Sequence, residues 1–311
     1  MEFFHKQTNI GFMATRKLWY GLSIVLMVVS LGALATKGLN FAIDFTGGVS
    51  VEAALPTAAD VEAIRTQLEH AGFREPQVGI FGSSREVAIR LPPDPSTSVA
   101  QIRAQVEAAL LAVAPGAEVR KLDVVGPQVG DELRTSAIWA LSFTLLLIFI
   151  YIAFRFHTWR LSAGAIVAVM HDPILVLGIF SITQTPFDLA VVAAILAVIG
   201  YSLNDTVVIF DRIRERFEHN RRLPPVTVLD QAINQTLSRT IMTKVVTMIV
   251  VVALLFLGGP VLRGFSEALA IGILAGTYSS IYISSAIALD AGLTAEHVFP
   301  TVRKSAVDDM P

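Results

Sequence analysis

Residues 189–210 read LAVVAAILAVIGYSLNDTVVIF, an apolar run whose only charge is Asp205. An α-helix needs roughly 20 predominantly apolar residues to cross about 30 Å of hydrocarbon, so the stretch reads as a membrane span. Five more runs meet the same requirement, at 18–36, 135–154, 161–182, 240–259 and 265–289. The first two hold no charged side chain. The other three hold His171 with Asp172, Lys244 and Glu267, respectively.

The composition agrees with a chain whose solvent is the bilayer. Of 311 residues 53% are hydrophobic and only 16% charged, and the mean hydropathy is +0.62. A net charge of −2 argues against a nucleic-acid partner, and without cysteine there is neither a disulfide framework nor a thiolate metal site. No Gly-Lys-Ser/Thr triplet occurs, so no Walker phosphate cradle is available and ATP is not expected as the energy source. No catalytic constellation, cofactor or metal is expected either, and the chain does not read as an enzyme.

Short flanking loops rich in Lys and Arg stay on the cytoplasmic side. One set of flanks carries Lys6, Arg16, Lys17, Arg155, Arg160, Arg212, Arg214, Arg216, Arg221, Arg222, Arg239, Arg303 and Lys304, whereas the opposite short loops carry only Arg263. The chain therefore divides into a cytoplasmic N-terminus at 1–17, a first span at 18–36, an outer domain at 37–134, five spans with short loops over 135–289, and a cytoplasmic tail at 290–311. The basic start, the apolar run and Ala33-Leu34-Ala35 also have the form of a cleavable signal. The length of that run and the immediately following Lys37 favour a retained span.

Within 38–134 the pattern becomes amphipathic, with eight Lys and Arg against thirteen Asp and Glu, a charge of −5. Positions 49–55 alternate as a strand, and 57–72 read as a helix capped by Thr57 with Val61, Ile64 and Leu68 on one face. Strands at 77–81 and 86–91 flank Gly82-Ser83-Ser84. A helix over 98–113 and a strand over 118–125 complete βαββαβ, the split ferredoxin-like unit. The fold class is thus a six-helix membrane bundle with one α+β outer domain. Such a fold does not itself assign a task, and a passive spacer is one reading.

An ionisable group at mid-membrane costs roughly 2.5–3.5 kcal/mol on insertion scales. Asp205 shares a four-residue stripe with Tyr201, Ala197 and Ala193, small enough for close helix contact, and is expected to face protein. Desolvation penalises the charged form of a carboxyl and a nearby cation favours it, so a group so placed can load and release a proton. Arg239, at the start of the fifth span, is the cation expected beside it, with Thr243 and Thr247 continuing one polar face. A fixed ion pair that only specifies helix packing is the alternative.

His171-Asp172-Pro173 is expected to break the third span near its midpoint, where Pro removes a backbone hydrogen bond and adjacent polar side chains absorb the freed carbonyl. A proton relay is the other reading. Lys244 and Glu267 each lie about one turn inside a span and are expected to snorkel to the interface. In the sixth span Gly272, Gly276, Ser280, Ser284 and Ala288 form a ladder of small side chains that calls for a close helix neighbour.

The stretch GYSLNDTVVIFDRIRE at 200–215 resembles the signature of the SecF family of bacterial protein-export subunits. GLNFAIDFTGG at 38–48, His171-Asp172, Ser238-Arg239-Thr240, Gly258-Gly259-Pro260 and the neighbourhood of Phe12-Met13 resemble the same family. The resemblance covers nearly the whole chain and implies a proton-driven accessory of the Sec translocon within the resistance-nodulation-division superfamily, in the bacterial inner membrane. It implies SecD, the SecYEG channel, YajC and a translocating unfolded polypeptide as partners. It assigns proton transport to Asp205 with Arg239 beside it, and makes His171, Asp172, Tyr201, Asn204, Thr243 and Thr247 accessory polar candidates. Lys244 and Glu267 depart from the family pattern. A scaffold without proton transport, or a small-molecule antiporter of the superfamily, are the rival functions.

Overall fold

The computed structural model of the protein describes residues 8–81, 83–93, 97–156 and 158–299, so Lys6, Gly82, Arg303 and Lys304 lie outside the described residues. Helix α1 (Arg16–Thr36) is followed by one turn, α2 (Ile43–Thr46). The outer domain then runs β1 (Gly48–Ala54), α3 (Val61–His70), β2 (Gln77–Phe81), β3 (Ser83–Leu91), α4 (Val99–Val113) and β4 (Glu118–Val125). Helices α5 (Pro127–Arg155), α6 (Trp159–Thr183), α7 (Leu189–His219) and α8 (Pro225–Leu257) follow. The last span is α9 (Gly259–Tyr278), a π-helical segment (Ser279–Ile283) and α10 (Ser284–Asp290). Among the described residues, six helical stretches are thus long and apolar enough to cross a membrane.

Helix hydrogen bonding does not stop where hydropathy does, so several helices outrun the expected spans. α5 begins at Pro127 rather than near 135, and α7 and α8 continue well past the apolar runs. The first turns of α8 bury Val228, Leu229, Ala232 and Ile233, and Asp230 Oδ1 accepts the backbone N–H of fully buried Met13, 2.9 Å away. α6 runs unbroken through Pro173, against the expected interruption.

The sheet order is β2-β3-β1-β4 with every pairing antiparallel, the arrangement expected of βαββαβ. Val49, Val51 and Ala53 alternate inward with Val87, Ile89 and Leu91, against Ile64 and Leu68 of α3 and Ile102, Val106 and Leu110 of α4. Thr57 is not the cap of α3: the Asp60 side chain accepts from Ala63 N at 3.0 Å, which shortens the helix at its start. Ser98 and Gln101 form a capping box on α4.

Two glycines set the join between domain and bundle. Gly47 and Gly48 have φ of +68° and +119°, and a Cβ on Gly48 would overlap the Leu91 carbonyl, so only glycine fits where β1 leaves α2. The preceding residues dock on the α6–α7 loop. Ala42 N donates to Phe187 O (2.9 Å), Phe187 N to Asn40 O (2.8 Å), and Leu189 N, at the start of α7, to Asp44 Oδ2 (3.0 Å).

Candidate functional site

Asp205 on α7 and Lys244 on α8 are each 5% exposed, and Lys244 Nζ lies 2.7 Å from Asp205 Oδ2. Lys244 therefore does not snorkel. α8 starts at Pro225, which puts Lys244 well inside the helix instead of one turn from its end, and an opposite charge on the neighbouring helix removes the reason to reach for water. Lys244 Nζ also stands 5.1 Å from the Tyr201 ring centroid. The Tyr201 hydroxyl hydrogen-bonds Thr247 Oγ1, so Asp205, Lys244, Tyr201 and Thr247 form one polar cluster between α7 and α8.

Arg239 is not the contact partner of Asp205. Its side chain is exposed, and Asp205 feels it only as a longer-range charge. Thr243 is also exposed and bonds the Thr240 carbonyl (2.9 Å). Charge complementarity within the spans was the available signal for Lys244, because Asp205 and Lys244 are opposite charges on sequence-adjacent spans.

The stripe that carries Asp205 faces outward for most of its length. Val191, Ala194, Ile195, Val198, Ser202 and Asp205 are buried, whereas Ala193, Ala197, Gly200, Tyr201 and Asn204 are exposed. Asp205 thus sits at the border between the packed side of α7 and an open face of small and polar residues. That border runs on to Arg239 and Thr243 of α8, which makes the open face unlike a lipid-facing surface.

The packed side of α7 meets the ladder of the last span. A Cβ on Gly272 would overlap Val198, and one on Gly276 would crowd Ser202 and Asp172 at 3.1–3.3 Å. Further along, Ser284 presents its backbone to Gly164 of α6. Ser280 and Ser284 are fully buried, with Ser284 Oγ donating to Ser280 O (2.7 Å). The ladder therefore seats α7 and α6 in turn.

His171 and Asp172 form a second polar centre, apart from Asp205. Asp172 is wholly buried. Its Oδ2 accepts from Ser202 Oγ and from Ser279 Oγ (2.9 Å), and its Oδ1 lies 3.0 Å from His171 Nδ1. The sequence reading did not single out Ser202 or Ser279, although Ser202 stands one helical turn before Asp205. Glu267 is half-buried and pairs with Arg263 at 2.9 Å. A cleft of about 820 Å³ lies between the open face of the sheet and this end of the bundle, lined by Glu52, Arg90, Lys121, Asp123, Asp188 and Glu267 among others. Among the described residues no group of three or more His, Cys, Asp or Glu is placed to hold a metal ion.

Comparison with known proteins gives these features a family. The family model described as protein export membrane protein SecD/SecF, C-terminal, matches residues 105–294, and that of the SecD/SecF GG motif matches residues 32–55. The protein translocase subunit SecF of Haemophilus influenzae is 46% identical over 300 residues, 96% of this chain and 91% of that protein. SecF of Vibrio alginolyticus is 44% identical over 98% of both chains. A crystal structure of SecDF, a translocon-associated membrane protein from Thermus thermophilus, is 38% identical and matches with a TM-score of 0.83 over 94% of this chain. A SecDF structure in a super-membrane-facing form matches at the same identity and coverage with a TM-score of 0.68. This chain spans 39% of the length of each of these SecDF chains.

Proposed function

The chain belongs to the SecF family of protein translocase subunits, and on that premise we propose that it couples proton influx through its membrane sector to movement of its outer domain. It acts as a non-enzymatic accessory that draws exported polypeptide through the SecYEG channel, with SecD as its companion subunit and YajC as an associated one. It lies in the bacterial inner membrane with both termini cytoplasmic, a reading supported by the concentration of Lys and Arg on one set of flanks. The outer domain then faces the periplasm, where it grips or releases the emerging chain.

The observation that carries this reading is the buried Asp205–Lys244 pair at the edge of an open polar face. A carboxylate placed there is shielded from lipid, reachable from a helix interface and balanced by a cation, so adding one proton changes the local charge where α7 and α8 meet. A related six-span bundle laid on Ala193, Ala197, Gly200, Tyr201 and Asn204 covers that face and brings Arg239 against Asp205. The length of the SecDF chains supports this reading, because this chain spans only 39% of each. The energy scale is sufficient, because one charge crossing 100 mV releases about 2.3 kcal/mol, a bias of roughly 50-fold on a two-state equilibrium.

Replacing Asp205 with Asn in the assembled complex keeps the shape and removes the titration. Loss of proton-stimulated export with assembly intact is the expected result, and undiminished stimulation overturns the mechanism. The direct ion pair with Lys244 favours one rival, a scaffold in which the pair is a fixed brace. A scaffold loses assembly before activity in the same variant.

A further inference from the structure

We propose that the His171–Asp172 pair is a second proton-binding site of the membrane sector, separate from Asp205 and taking up its proton on the His171 imidazole. Its use in export rests on the proton-driven reading above, whereas the binding of the proton itself does not.

Three independent features point there. First, the Asp172 carboxylate has no exposed surface, and among the described residues its one ion-pair partner is His171. Two serine hydroxyls on two other helices donate to it, so the carboxylate is held in place without any fixed cation to neutralise it. Second, His171 is 3% exposed, and its Nε2 is buried with no hydrogen-bond partner among the described residues. A buried ring nitrogen left unpaired is costly, and it requires an explanation in a side chain already oriented by a carboxylate. Third, Ser279 opens the π-helical segment Ser279–Ile283 of the last span. Such deformations occur frequently at functional sites, and here the π turn delivers a hydroxyl to Asp172.

The chemistry follows from these contacts. With Nδ1–H donated to Asp172 Oδ1, the lone pair of Nε2 is the free acceptor. Hydronium gives one proton to Nε2, its O–H bond breaking as the N–H bond forms and leaving water, and the net charge of the pair goes from −1 to zero. The groups facing the pair are Tyr278 of α9, whose ring centroid is 5.8 Å from that of His171, and on α7 Ser202 with Asp205 one turn beyond it. Asp205 carries Lys244 of α8. On the α1 side, the Tyr278 hydroxyl donates to the Trp19 carbonyl (2.6 Å). Because Ser202 and Asp205 belong to the same turn of α7, the charge state of one site acts on the helix that presents the other.

The test is nuclear magnetic resonance of ¹⁵N-histidine in the reconstituted full complex, titrated between about pH 5 and pH 8. The His171 signal is identified by its loss in His171→Asn. The expected result is a ring that passes from neutral to imidazolium across the titration and still does so in Asp205→Asn. In Asp172→Asn the neutral ring is no longer held with its proton on Nδ1, because the carboxylate that accepts it is gone, and the two ring-nitrogen signals report a changed tautomer. A His171 ring fixed in one protonation state in the unaltered complex overturns the proposal, as does an unchanged ring tautomer in a folded Asp172→Asn complex. If Asp172→Asn does not fold, the unaltered and His171→Asn complexes decide alone. Retained export stimulation in Asp205→Asn counts against the Asp205 mechanism and leaves this titration unaffected, so the two readings fail separately.

Discussion

Lys244 Nζ lies 2.7 Å from Asp205 Oδ2, a buried ion pair across α7 and α8 with almost no exposure on either side. Removing one partner of such a pair leaves the other charge uncompensated and costs about 3–5 kcal/mol, whereas replacing both is far less disruptive. Lys244→Met is therefore expected to lower the unfolding temperature of the purified protein, and Lys244→Met combined with Asp205→Asn to recover most of the loss. Thermal unfolding in detergent checks this; a double variant that melts no higher than Lys244→Met contradicts it.

Gly200, on the open side of α7, and Gly272, on α9 against its packed side, are expected to behave oppositely. Gly272 lies under Val198, whereas nothing lies within 4 Å of a Cβ on Gly200. Gly272→Leu forces α9 off α7 and lowers stability by about 1–3 kcal/mol or more. Gly200→Leu leaves the isolated chain's stability within about 0.5 kcal/mol but obstructs the open face. Thermal unfolding and co-purification with SecD separate the two effects. Equal loss of stability in both variants refutes the assignment of faces.

Asp44 ties the outer domain to the first turn of α7 by accepting the Leu189 N–H at 3.0 Å. The cap of α7 is Asp188, which accepts the Val191 N–H at 2.8 Å, and losing the separate Asp44 hydrogen bond costs about 1 kcal/mol, so Asp44→Ala should speed amide exchange at Leu189 about fivefold while exchange at Val191 and in β1 and β3 stays unchanged. Hydrogen-exchange mass spectrometry reads both regions in one sample.

Glu52 faces the cleft from β1, and burial pushes its carboxyl above the ordinary carboxylate range, with Lys121 opposing and Asp123 and Glu86 adding to the rise. A raised acid binds its proton more tightly folded than unfolded. Its stabilising contribution is thus complete below the unfolded pKa and fades as pH climbs through the raised one. Glu52→Gln should be neutral near pH 4 and strengthen the outer domain at pH 7, by less than about 1 kcal/mol for a half-exposed group. Amide-exchange protection of β1 and β4, compared with the unaltered chain at each pH, measures it. Greater benefit at pH 4 than at pH 7 reverses the sign and rejects the argument.

The six spans and the βαββαβ order were legible because their signals are local: hydropathy over about twenty residues, and alternation over five to ten. The capping of α3 was misread by three residues because Thr57 and Asp60 both fit a cap, and only the backbone geometry selects Asp60. Asp205 was recognisable as a charge in an apolar run. Its partner was not, since the expected start of the fifth span put Lys244 near an interface and Arg239 within reach.

By itself the sequence determined that this chain crosses a membrane six times, folds a split ferredoxin-like domain between its first two spans, and keeps a carboxyl where lipid does not permit one. The tertiary structure alone decided that Lys244 pairs with that carboxyl, that the small-residue stripe of α7 faces outward, and that Ser202 and Ser279 converge on Asp172. Hydropathy sums over neighbours in the chain. The choice of partner depends on the rotation and axial offset of separate helices, which are set by where Gly272 and Gly276 let α9 approach α7.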